Sequence, residues 1–131
     1  MPGFLKIQHV RYLRIFAWIL IIGIVILSVV PADDRPETGA GHNFEHLLAF
    51  GLAGMVFAFA YSWRLTVLLL SGVVFALLLE LAQIPLPTRH ARIGDFLADA
   101  FGASLGITLA RLTRAARKSS ANRAPRRWLS D

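Results

Sequence analysis

The sequence predicts an all-α, polytopic membrane protein: four transmembrane helices, with both termini cytoplasmic. Three observations carry that expectation. Hydrophobic residues make up 56% of the 131-residue chain and charged residues only 17%, whereas soluble proteins average about 45–50% apolar and about 25% charged. The apolar residues fall into four blocks instead of an amphipathic rhythm. Each block is close to the roughly 20 residues that cross a hydrocarbon core of about 30 Å. The basic residues, finally, gather beside alternate block ends, as the positive-inside rule requires.

The first block, Tyr12 to Val30, is almost wholly apolar from Ile15 and stops at Pro31. A cleaved signal peptide is the alternative reading, since Lys6, Arg11 and Arg14 precede the block. The apolar run exceeds a usual signal core, however, and Val30-Pro31-Ala32 lacks the small-x-small form of a cleavage site. Residues 31–43 hold prolines, glycines and acids and read as a loop. The second block, Phe44 to Tyr61, is apolar after Glu45 and His46, and Ser62-Trp63-Arg64 turns it tightly into the third. Leu65 to Ile84 carries Glu80 and Gln83 near its end. The connection PLPTRHAR leads to the fourth block, Ile93 to Leu112, which opens with Asp95 and Asp99. The expected organisation is a basic cytoplasmic segment (1–11), a four-helix membrane domain (12–112) and a basic, disordered cytoplasmic tail (113–131).

Lys6, Arg11, Arg14, Arg64 and the seven basic residues from Arg111 onward fall on one side of this topology, against Arg35, Arg89 and Arg92 on the other. The first side is therefore read as cytoplasmic, in the plasma or inner membrane of a bacterium. The formal charge of +6 is explained by topology and attraction to anionic lipid, so nucleic acid is not an expected partner. The chain contains no cysteine, which excludes disulfides and thiolate metal sites. No cofactor is implied.

An ionisable residue inside a spanning helix costs roughly 2.5–3.5 kcal/mol at its centre on insertion scales and is a functional candidate by default. Here such residues cluster at one level. Glu45 and His46 open the second helix, Glu80 and Gln83 close the third, and Asp95 and Asp99 open the fourth, Asp99 about 9 Å below Ile93 at 1.5 Å per residue. Arg89 sits in the adjoining loop. Asp95, Asp99, Gly102 and Gly106 step by four, three and four along one stripe, with two glycines suited to close helix contact. The simplest packing sets that stripe against the second or third helix, carboxylates toward His or Gln. His46, Glu80, Arg89 and Asp95 are the candidate chemical groups of this pocket, with Gln83, Asp99 and Glu45 as candidate binding groups. The bland alternative is that these residues only pair with one another and fix helix register.

The stretch HNFEH (42–46) also matches H-x-x-E-H, a pattern of some zinc hydrolases. Its position at a membrane boundary, with no room for a peptidase domain, argues against a metal site, and His42 reads as an incidental loop residue.

Two longer stretches resemble the VanZ-like family of small membrane proteins. HNFEHLLAFGLAG (42–54) resembles a family motif through His46 and Phe50. ELAQIPLPTRHARIGDFLADAFGASLG (80–106) is similar through Glu80, Gln83, Pro87, Arg89, Asp95, Gly102 and Gly106. Val30-Pro31 ends the first helix as the family's often ends. His42 and Asn43 stand where the family often has Asp and Lys, and Asp99 where it often has Asn, so any role of that Asp-Lys pair is not carried over. The resemblance implies a multi-pass envelope protein. The family takes its name from a protein linked to low-level resistance to the glycopeptide teicoplanin, but resistance is not assigned to this chain.

The residues leave two main functions open. One is an enzyme acting on a lipid or envelope-glycan head group at the outer leaflet, with His46 and Glu80 as acid and base and Arg89 on a phosphate. The other is a non-enzymatic module that binds an envelope component or stabilises a partner, with a glycopeptide-tolerance-like effect. A cation pathway fits less well, because the inner halves of the helices offer only isolated Ser or Thr. Oligomeric state is left open.

Overall fold

The computed structural model describes residues 2–30, 41–85 and 92–123. They form four helices: α1 (Pro2–Val29), α2 (His42–Ala60), α3 (Leu65–Gln83) and α4 (Ile93–Arg123). All four contain a segment long and apolar enough to cross a membrane. The 19 residues of α2 and of α3 span about 28 Å at 1.5 Å per residue, matching a hydrocarbon core of about 30 Å.

Local chemistry sets the helix ends. α1 stops just before Pro31, which lacks the backbone donor needed to continue it. α2 starts after Gly41, whose φ of 91° suits a residue without Cβ. The Gly41 carbonyl accepts the first-turn N–H groups of Phe44 and Glu45. α2 ends where Tyr61 turns extended, and Leu68 N–H bonds back to Arg64 to begin α3. α3 closes with a tightened turn, Ile84 N–H to Leu81 O, ahead of Pro85. α4 continues past Leu112 to Arg123, into the stretch the sequence predicts to be a disordered tail (113–131). The reason is local: residues 113–123 contain no Gly or Pro, and Ala115, Ala116, Arg117 and Lys118 are among the better helix formers. The remainder of that expected tail, from residue 124, lies outside the described residues.

The packing is inside-out relative to a soluble bundle. Leu70 is 64% exposed and Ile19 58%, while His46, Glu80, Gln83, Asp95 and Asp99 are all buried. In hydrocarbon, apolar side chains gain nothing by leaving the surface, and helices associate through close backbone approach and polar contacts. α2 and α4 run in the same direction and pack most intimately. A Cβ on Gly102 would lie 3.0 Å from Leu47 Cα and closer still to its carbonyl oxygen. One on Gly106 would lie 3.0 Å from Met55 N and overlap the carbonyl of Gly51. The α4 glycine stripe therefore faces α2, which decides between the two packings open from sequence. α3 lies against α4 and α1 against α2, whereas α1 and α3 barely meet.

The two ends of the bundle differ. At one end, Arg14 Nε donates to Ala60 O at 3.4 Å, Arg114 to Phe59 O and Arg111 to Trp63 O. These arginines satisfy carbonyls at and just beyond the C-terminus of α2, which have no intrahelical donor. Trp18 Nε1 donates to the Tyr61 hydroxyl at 3.0 Å, and Arg14 lies over the Tyr61 ring. Aromatic and basic side chains of this kind mark a membrane interface. The other end carries the polar residues.

Candidate functional site

α2 and α4 both begin at the polar end, so residues four apart on one meet residues four apart on the other. His46 Nδ1 is 2.8 Å from Asp99 Oδ1. One turn nearer the boundary, His42 Nε2 is 3.4 Å from Asp95 Oδ2. The two imidazole centroids are 4.3 Å apart. The pairs are thus successive rungs of one ladder, and the glycine contacts continue it: two rungs of polar side chains, then two made of backbone. Asp99 is 4% exposed, so its hydrogen bond to His46 offsets part of the cost of its burial. Asp95 sits in the first turn of α4, where the helix dipole favours negative charge.

By its sequence alone, His42 reads as an incidental loop residue. It is instead the first residue of α2, with its Nε2 in contact across the interface with Asp95. The i, i+4 spacing in HNFEH was the signal, and the matching spacing of Asp95 and Asp99 completes it.

Glu80 of α3 is buried and accepts the backbone N–H of Arg92, the residue preceding α4. It lies within coulombic range of Asp95, Asp99 and His46. Glu80 therefore lies near the two histidine–aspartate pairs and anchors the start of α4. Gln83 is at the same level but turns elsewhere: its Nε2 donates to Ser28 O of α1 at 3.3 Å. It fastens α1 to α3 and is not among the groups facing the ladder. Glu45 lies in the first turn of α2 and is half-buried. Arg89 and Pro87 lie outside the described residues. Arg92 is exposed at the same end. Among the described residues, no group of three or more His, Asp or Glu is arranged to hold a metal ion.

Below the ladder the environment changes within one turn. The Phe50 ring lies nearly parallel to His46, centroids 6.4 Å apart, and 5.8 Å from the ring of Phe75. Past Phe50 is an apolar cavity of about 240 Å³ between α1 and α3, backed by α2 and α4.

Residues 5–114 match the VanZ/LLP1 family. The chain belongs to that family. The match covers the first three membrane-spanning segments, the fourth as far as residue 114, and both stretches that carry the polar residues, so the ladder, Glu80 and Gln83 lie in VanZ/LLP1 sequence and not in an added segment. Neither a curated protein nor a solved structure matches the chain. Its chemistry must therefore be read from the residues themselves.

Proposed function

We propose that this VanZ/LLP1 protein recognises the polar head group of an envelope lipid or lipid-linked glycan at the outer face of the plasma membrane. The observation that supports it best is the ladder of His42–Asp95 and His46–Asp99, with Glu80 close by, set directly above an apolar cavity with Phe50 between them. Polar above and apolar below is the pattern of an amphipathic ligand. Buried ionisable groups at that level are costly and call for a role beyond solubility. Arg89, by its place in the sequence motif, and the exposed Arg92 supply positive charge to balance the carboxylates.

A catalytic version of this reading rests on one contact. Asp99 engages His46 Nδ1, and a carboxylate on one ring nitrogen sets the tautomer and orientation of the imidazole. With Asp99 ionised, Nδ1 donates and Nε2 carries the basic lone pair, the arrangement of a general base. Envelope lipid and cell-wall profiles of a deletion strain, restored with Glu80→Ala, His46→Gln or Asp95→Asn, separate the versions. Binding predicts graded loss across the three at normal membrane levels of protein. Catalysis predicts complete loss for His46→Gln alongside residual function for Asp95→Asn. Full restoration by all three contradicts both.

The ladder end is assigned to the outer face because the opposite end carries Arg14, Arg64, Arg111 and Arg114 and basic residues favour the cytoplasm. A reporter fluorescent only in the cytoplasm, fused after Asp131, should light up; a dark fusion made in equal amount reverses the orientation.

A further inference from the structure

We propose that the cavity between α1 and α3 is a side-entry groove that holds one hydrocarbon chain of the membrane lipid whose head group lies at the ladder. This rests on the head-group reading and adds to it where the rest of the ligand goes. Trp18 and Ile21 of α1 form one wall, and Gly72 and Phe75 of α3 the other. Phe50 and Ala53 of α2 lie at the back. Its two polar lining side chains are already engaged, the Ser71 hydroxyl donating to Leu68 O at 2.8 Å and the Trp18 indole N–H to the Tyr61 hydroxyl at 3.0 Å, so neither asks for a polar ligand. Ser71 and Trp18 are exposed, so the groove opens on the outer surface of the bundle.

That surface is covered by large apolar side chains in segments built to cross a bilayer. The medium at the mouth is therefore lipid chain, and the occupant needs no passage through water. From Phe50 to Phe57 the groove runs about 10 Å along α2 at 1.5 Å per residue, the length of part of one chain. Gly72 shapes this space. A Cβ there would lie 3.2 Å from the Ala103 side chain and 3.4 Å from Ile107 Cδ1, so α3 sits close to α4 and leaves the free volume on the α1 side. Bilayer chains are as apolar as the groove, so filling it adds little affinity. Its effect is positional: a chain held beside Phe50 places its head group one helical turn away, at His46 and Asp99.

The test uses the full-length protein in bilayer nanodiscs containing a phospholipid with a diazirine on one acyl chain, followed by peptide mapping of the photolabel. Labelling should concentrate on Phe50, Phe75 and Ile107 relative to the lipid-facing residues Ile22 and Leu70. Ser71→Phe, at an exposed position, and Ala53→Leu, at the back, each fill the groove and should lower Phe75 labelling to the level of Leu70. Equal labelling of groove and outer residues in the wild type overturns the proposal, as does enrichment that survives both substitutions. His46→Gln tells the two readings apart. If it abolishes envelope function while groove labelling persists, the chain site stands and the head-group site is confirmed separately. If groove labelling is absent while His46→Gln still abolishes function, only the groove is refuted.

Discussion

The His46–Asp99 contact sets the energetic scale of the site. Three magnitudes compete for what its loss should cost. Removing one partner of a buried ion pair in a soluble protein costs about 3–5 kcal/mol. A buried polar group left without its partner costs about 1–3 kcal/mol. Interhelical hydrogen bonds in membranes average only about 0.6 kcal/mol, with a maximum near 1.7. The largest figure does not apply, because a stranded Asp99 can take up a proton instead of remaining a buried anion. The average membrane figure is too small for a 2.8 Å contact to a carboxylate that is 4% exposed. His46→Ala and Asp99→Ala should therefore each destabilise the bundle by about 1–2 kcal/mol. Much of each loss is the same loss, so the double substitution should show a coupling energy of about 1 kcal/mol. Reversible unfolding in bicelles, followed by steric trapping, measures all four corners of the cycle. Additivity within about 0.5 kcal/mol would refute the claim that the two side chains act as a unit.

Two further outcomes follow from the packing. Gly106→Ala must displace the α2 backbone at Gly51 and should destabilise by about 1–3 kcal/mol as overpacking, whereas Gly94→Ala, with nothing within 4 Å of its new Cβ, should be neutral or gain up to about 1 kcal/mol of helix propensity. The same unfolding assay compares them, and equal effects would contradict the close α2–α4 approach. Gln83→Leu removes the bond to Ser28 O and should cost about 0.6–1.7 kcal/mol, additive with His46→Ala because the two contacts share no partner; strong coupling in a double-mutant cycle would place Gln83 in the ladder after all.

Much of the fold was legible because a bilayer imposes a simple demand. Apolar blocks of fixed length, ended by Pro31, by the Ser62–Arg64 turn and by Pro85, allow few other solutions. The level of the polar residues followed from counting along the helices. Their pairing did not. Asp99, Asp95 and Glu80 had several possible partners, and only the common direction of α2 and α4 aligns 42 with 95 and 46 with 99. Gln83 lies three residues from Glu80, yet it bonds to α1 while Glu80 bonds to the residue before α4. The length of α4 was missed because charge marks the membrane boundary but does not end a helix. The arginines there read as topology signals. In the folded chain Arg14, Arg111 and Arg114 also close the carbonyl ends around α2, a role no spacing announces because donor and acceptor lie on different elements.

The central claim is that the ladder and Glu80 recognise a lipid head group. The most direct test is mass spectrometry of lipids retained by the full-length protein after extraction from its own membrane into nanodiscs, comparing wild type with Glu80→Gln and Asp99→Asn at matched folded yield. The account predicts one head-group class enriched over the bulk membrane in the wild type and reduced to bulk abundance in both variants. Identical lipid profiles for all three proteins would contradict it.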